Sequence, residues 1–227
     1  MLSSQDQIFA AFEGDRWFRR NKDALERFDP EADLPLKLME LYHLRPSSVL
    51  EIGAANGFRL AAISERYGAR VVAVEPSVEA IIVDGKARFP CVEFVGGVAY
   101  AIPLQELFDL IIVNFVFHWI DRTNLLRSVA EIDRLLVDGG FLIIGDFFPS
   151  NLTKVRYHHL DDEKVYTYKQ NYAGIFTASG LYHPVCLITA DHSSKTLTGE
   201  VAESERIGIW LLQKKLRDHY VEGSFHP

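Results

Sequence analysis

The chain has 227 residues, 48% hydrophobic and 24% charged, the balance of a globular protein that fills one domain of ordinary size. Its 24 Lys and Arg against 31 Asp and Glu leave a formal charge of −7, and no basic run is present to neutralise phosphates, so neither nucleic acid nor an anionic membrane surface is expected as a partner. Residues 1–20 contain no apolar signal core, the apolar stretch 110–120 is too short for a bilayer, and Cys91 and Cys186 form no CxxC pair; the expected setting is the reducing cytoplasm.

Along the chain, apolar residues from Ile8 to Phe28 fall on helical spacings, and Asp29-Pro30 is the expected stop. A second helix is predicted from Pro35 to His43, ended by Arg45-Pro46. The pattern then changes. Ser48 to Ile52 reads as a short strand, followed by the turn Gly53-Ala54-Ala55-Asn56-Gly57 and a helix through Leu60, Ile63 and Tyr67 that Gly68 closes. Val71–Val74, Val92–Val95, Leu110–Val113 and Phe141–Ile144 are the next strands. The helix before the last of them carries Leu125, Val129, Ile132 and Leu136 on one face and is expected to be capped by Gly139-Gly140. These strands are continuous apolar runs, as in a parallel sheet covered on both faces. Ligands of such sheets bind beyond the carboxyl ends of the strands, where the polar and glycine residues gather here. From Ser150 to Gly180 no clean period is visible among the aromatics. Val185–Thr189 and Ile207–Leu212 lack a convincing helix between them, so they are expected to pair as a hairpin at the sheet edge.

A glycine-rich turn between strand and helix offers backbone N–H groups to a ligand. A dinucleotide fingerprint starting at Gly53 requires glycine at 55 and 58, where the chain has Ala55 and Phe58. A nicotinamide-dependent oxidoreductase is therefore the alternative reading. The pattern present is acid-x-Gly-x-small-x-Gly, with Glu51, Gly53, Ala55 and Gly57, and Glu75 ends the second strand, where a carboxylate accepts ribose hydroxyl protons.

With Val74-Glu75-Pro76-Ser77, Phe108-Asp109-Leu110-Ile111 and the Asp138-Gly139-Gly140-Phe141 turn, residues 47–147 resemble the class I S-adenosylmethionine-dependent methyltransferases. The resemblance implies a Rossmann-like, doubly wound, mostly parallel α/β sheet of seven strands with an antiparallel edge hairpin. It implies one domain: an N-terminal helical lid (1–46), a cofactor-binding core (47–147), an inserted aromatic cover (148–182) and C-terminal edge strands (183–227). The implied cofactor is S-adenosylmethionine, leaving as S-adenosylhomocysteine. Glu51, Gly53, Ala54, Ala55 and Gly57 would line its methionine and ribose, Glu75 and Pro76 its ribose hydroxyls, Gly97, Val98 and Ala99 its adenine, and Asn114 and Phe115 its sulfonium end. Two departures stand out: Ala55 replaces a usual glycine, and Val98 replaces the acid often found at the adenine amino group.

Methyl transfer is an in-line displacement in which positioning does much of the work, aided by a general base where the acceptor carries a proton. The fourth strand ends Asn114-Phe115-Val116-Phe117-His118-Trp119, without the prolines typical of enzymes that methylate base amino groups. His118, His158 and His159 are candidate bases, and Asp146 a candidate carboxylate on the acceptor side. Tyr157, Tyr166, Tyr168 and Tyr172 are candidate pocket residues. His158 and His159 with Asp161 and Asp162 have the composition of a metal site, but no metal is expected. Trp17 and Arg20, in the segment Trp17-Phe18-Arg19-Arg20-Asn21, resemble a part of bacterial relatives that closes over the cofactor, and Arg19 or Arg20 is expected to bind an anionic acceptor. The expectation is a methyltransferase for a small polar acceptor of anionic or sugar-like character, with oxygen favoured over nitrogen, working as a monomer or homodimer. A catalytically silent cofactor-binding partner protein is the non-enzymatic alternative.

Overall fold

The structure is a computed structural model and describes residues 5–160, 162–217 and 220–223. It opens with a continuous helical segment: α1 (Gln5–Ile8), a wider π turn at Phe9–Glu13, and α2 (Gly14–Glu26). Helix α3 (Leu34–Leu41) starts where Asp33 accepts a hydrogen bond from Leu36 N (3.1 Å), with Pro35 in the first turn, whose missing N–H has no helical partner to lose.

Strand and helix then alternate through β1 (Ser48–Ile52), α4 (Phe58–Tyr67), β2 (Arg70–Glu75), a π turn at Glu79–Gly85 with the short α5 (Lys86–Arg88), and β3 (Val92–Gly96). Strand β4 (Phe108–Asn114), a 3₁₀ turn at Phe117–Trp119, α6 (Leu125–Leu135) and β5 (Leu136–Phe147) complete the alternation. The insert contributes a small hairpin, β6 (Thr153–Arg156) with β7 (Tyr166–Lys169), and helix α7 (Ala173–Ala178). The edge strands are β8 (Tyr182–Asp191) and β9 (Arg206–Lys214).

The main sheet has seven strands in the order β3-β2-β1-β4-β5-β9-β8; the first five are parallel, and β9 is antiparallel to both of its neighbours. Alternate residues of one strand serve opposite cores. Leu50 and Ile52 of β1 pack with Ile132 and Leu135 of α6 and Phe176 of α7, while Val49 packs with Leu36 and Met39 of α3 and Leu60 and Ile63 of α4. Both faces are therefore dry, which is why the strands read as unbroken apolar runs. The expected edge hairpin is present.

Helix α6 stops earlier than its sequence suggests. Leu136 already pairs with Phe108 on β4 and is buried, and the register then jumps to Leu110 opposite Phe141. Gly139 and Gly140 thus occupy a bulge within β5 rather than a helix cap, because burying Leu136 in the sheet satisfies its backbone sooner than another helical turn. Over 150–180, the pairing of β6 with β7 is local and leaves β6 exposed and β7 half-buried, so neither strand has a buried face to impose a period on the sequence. Among the described residues, no helix is long and apolar enough to cross a membrane.

Candidate active site

The carboxyl ends of β1, β2, β4 and β5 open into one cavity of about 590 Å³, within the usual range for small-molecule sites. At its β1–β2 end the backbone is shaped by the glycine turn. Gly53 has φ 71° and donates from its N–H to Val74 O (2.8 Å); a Cβ there would sit 2.3 Å from Val116 Cγ2, so no side chain fits. Ala55 also takes a positive φ of 49°, and its N–H donates to Glu75 Oε2 (2.8 Å). The other oxygen, Oε1, accepts from Ser77 N (2.9 Å). Burial pushes the Glu75 carboxyl up to about 7, against the opposing pull of these two N–H donors.

Glu51, on the next strand, is buried beside Arg59 of α4, which also holds Asp33 (2.8 Å). One guanidinium shared by two carboxylates does not compensate fully for burial, and the Glu51 carboxyl is likewise pushed up to about 7. Its Oε2 and the Oδ1 of Asn114 are buried acceptors that receive no hydrogen bond among the described residues, and both residues line the cavity. A ligand carrying a ribose diol and a protonated amino group supplies the donors that this wall lacks.

Toward β5 the cavity changes character. His118, 2% exposed, places Nδ1 2.9 Å from Asp146 Oδ1, and its backbone N–H donates to Asp146 Oδ2 (3.2 Å). Around it stand Phe115, Phe147 and Trp119, with ring centroids 6.1, 5.3 and 4.3 Å from the imidazole. The roof is built from the N-terminal helix and the insert. Ile8 of α1 packs with Tyr157, Leu160 and Val165 of the insert, and Phe9 stacks on Trp119 at 5.1 Å. Gln5 donates to Trp119 O and Tyr166 O and accepts from Tyr166 N (3.1 Å). The Tyr157 hydroxyl donates to the buried Glu13 (2.8 Å) and accepts from Arg20 (2.8 Å).

Of the residues singled out in the sequence, Trp17, Glu51, Gly53, Ala54, Ala55, Glu75, Pro76, Gly97, Val98, Ala99, Asn114, Phe115, His118, His158 and His159 line the cavity. Asp146 stands behind His118 rather than in the wall. Gly57 caps α4 at φ 81° and lies against the Phe94 ring, outside the lining. Of the four tyrosines only Tyr157 is in the wall; Tyr172 is buried in the core, stacked on Phe117 at 5.1 Å.

The arginines require a correction. Arg19 donates through Nε to Glu79 (2.7 Å), and Arg20 is engaged by Glu13 and Tyr157, so neither presents an unshared charge to an acceptor. Their partners on the π turn after β2, on the N-terminal π turn and on the insert are not visible from a local basic run. Asp161 lies outside the described residues, and among those described no three His, Cys, Asp or Glu side chains are grouped to hold a metal ion. The sequence reading missed Arg59, Lys169, His192 and Phe147, which also line the cavity. Lys169 sits in the repeated-tyrosine stretch 166–172, which was a usable signal; His192, just past β8, had none.

A seven-stranded sheet in this order, with a tight glycine turn after β1, an acid ending β2 and one cavity across the strand tips, defines the class I S-adenosylmethionine-dependent methyltransferase architecture. Residues 50–144 match the family model described as methyltransferase domain. An uncharacterized methyltransferase of Alkaliphilus oremlandii (strain OhILAs) is 30% identical over 97 residues, 43% of this chain and 44% of the relative. The malonyl-[acyl-carrier protein] O-methyltransferase 1 of Coxiella burnetii (strain RSA 493 / Nine Mile phase I) is 28% identical over 135 residues, 59% of this chain and 45% of the relative. The chain thus spans less than half the length of these two relatives.

Among solved structures, the Burkholderia thailandensis 1,6-didemethyltoxoflavin-N1-methyltransferase, with bound 1,6-didemethyltoxoflavin and S-adenosylhomocysteine, superimposes with a TM-score of 0.70 at 18% identity, over 95% of this chain and 92% of that one. The N-methyltransferase NodS from Bradyrhizobium japonicum WM9, in complex with S-adenosylhomocysteine, gives 0.61 at 18% identity, over 93% and 99%. At that identity the likeness is one of fold.

Proposed function

We propose that this chain transfers a methyl group from S-adenosylmethionine to a small polar acceptor, and that oxygen is the atom methylated. When bound, S-adenosylmethionine supplies an electrophilic methyl group on a cationic sulfonium. Glu75 would hold its ribose hydroxyls, Glu51 and Asn114 its amino group, and Gly97, Val98 and Ala99 would flank its adenine. Val98 offers no carboxylate, so adenine would be held there by backbone and packing. His118, which lines the cavity with Asp146 Oδ1 2.9 Å from its Nδ1, is the group placed to take the acceptor proton. A base held in this way favours a hydroxyl acceptor, since a neutral amine attacks without prior deprotonation. The two unpaired cysteines suit the cytoplasm, and the overall charge of −7 suits a small-molecule acceptor rather than nucleic acid.

The observation that carries this reading is the continuity of the cavity, which runs from Glu75 on β2 to His118 after β4 under one roof. Calorimetric titration with S-adenosylhomocysteine tests the donor half, with Glu75→Ala expected to weaken binding by about tenfold or more. Labelled-methyl transfer against a panel of hydroxy acids, sugars and amines tests the acceptor half. Absence of S-adenosylhomocysteine binding overturns the whole reading. Binding without transfer to any acceptor points to a silent partner protein instead, and labelled amines without labelled hydroxyls overturn the oxygen assignment.

A further inference from the structure

We propose that the β5 end of the cavity is an oxyanion subsite in which Lys169 and His192 hold a negatively charged group of the acceptor. The proposal rests on the reading of the cavity as a methyl-transfer site, and extends it to the class of molecule methylated. Arg19 and Arg20 are committed elsewhere, and Arg59 of the lining is held by Glu51 and Asp33; Lys169 and His192 are positive-capable groups of the lining that gather around Phe147.

Lys169 Nζ sits 3.7 Å from the Phe147 ring centroid and donates one hydrogen bond, to Ser204 O (2.8 Å). No carboxylate forms an ion pair with it among the described residues. The His192 ring lies 4.9 Å from Phe147 and 5.2 Å from Phe115, the two rings that also flank His118. Across the cavity, His158 and His159 stand 3.9 Å apart. Asp146 and Glu205 are the acids on this side; Glu205 Oε2 is 3.6 Å from His192 Nδ1, and neither residue lines the cavity.

The lining carboxylates are elsewhere. Glu51 and Glu75 end β1 and β2, and both oxygens of Asp6 accept hydrogen bonds, from Asp121 N (2.9 Å) and Asn124 Nδ2 (2.6 Å). Burial lowers the pKa of both Lys169 and His192, against the opposing pull of Glu205 on each. An anion at this position also lies away from the donor. Glu75 and Phe147 end β2 and β5, three strand positions apart in the sheet order, which is about 14 Å at about 4.8 Å per strand. The ribose end of the cofactor, expected beside Glu75, is therefore not the natural occupant. Placed here, an acceptor anchored by its charge presents its hydroxyl to His118, on the near side of Phe147.

The test is calorimetry on the protein saturated with S-adenosylhomocysteine, titrated with inorganic phosphate and, separately, with acetate at matched ionic strength. Saturable binding is expected, and whichever anion binds more tightly assigns a phosphoryl or a carboxylate group. Lys169→Met should weaken that binding by about tenfold or more, and Lys169→Arg by less than about threefold, with S-adenosylhomocysteine affinity unchanged in both. Saturable binding of neither anion, or equal binding by Lys169→Met, overturns the proposal. So does a loss of S-adenosylhomocysteine affinity in Lys169→Met, which would place the lysine on the cofactor. Should Lys169→Met fail to fold, His192→Gln decides on the same criteria. If the wild type does not bind S-adenosylhomocysteine, the methyltransferase reading fails, and the anion titration without it still decides the subsite.

Discussion

Two neighbouring residues in the turn after β1 carry opposite predictions. Gly53 cannot accept a Cβ, because Val116 Cγ2 occupies that space and φ is positive, so Gly53→Ala should destabilise by about 2–4 kcal/mol in chemical denaturation. Ala55 already carries a Cβ at positive φ, so Ala55→Gly relieves strain while freeing the unfolded chain; the change should stay below about 1 kcal/mol. Glu75 carries a pH prediction. Its buried carboxyl is pushed up to about 7, whereas ribose hydroxyls donate to the ionised form. Binding must first remove the proton at lower pH, so S-adenosylhomocysteine affinity should fall about tenfold from pH 8 to pH 6 through this group. Calorimetry across that range should show the slope reduced in Glu75→Gln; an unchanged slope would assign the titration to Glu51.

At the level of elements, Arg59 joins three pieces that the sequence lists separately: the cap of α3 through Asp33, the end of β1 through Glu51, and α4, on which it lies. Arg59→Met keeps the length of the side chain but strands two buried carboxylates, and should cost about 3–5 kcal/mol by denaturation. The strands themselves were legible because β1, β2, β4 and β5 are buried on both faces and must be apolar throughout. The start of β5 was not, since Leu136 is apolar whether it ends a helix or begins a strand, and only its pairing with Phe108 decides. In the site, the donor end was legible because Glu51 to Gly57 and Glu75 are contiguous with strands. The β5 end of the cavity is assembled from the last residue of β5, a residue of β7 and one past β8, whose meeting no local spacing records.

Across the whole molecule, the roof joins the first residues described to the insert more than 140 positions later. Tyr157→Phe removes the hydroxyl that bonds Glu13 and Arg20, and should lower stability by about 1–3 kcal/mol and speed the release of S-adenosylhomocysteine in stopped-flow measurements. A stability loss with unchanged release would show that this contact holds the fold without guarding the cavity.

Gln5, fastened to both Trp119 and Tyr166, binds those two parts of the roof into a single flap. Its consequence is mechanical: neither part of the roof can shift away from Gln5 without breaking these hydrogen bonds, so the two should move as one. Amide exchange at Trp119 and Tyr166 should then quicken together in Gln5→Ala, as in a clasp that releases both sides when it opens.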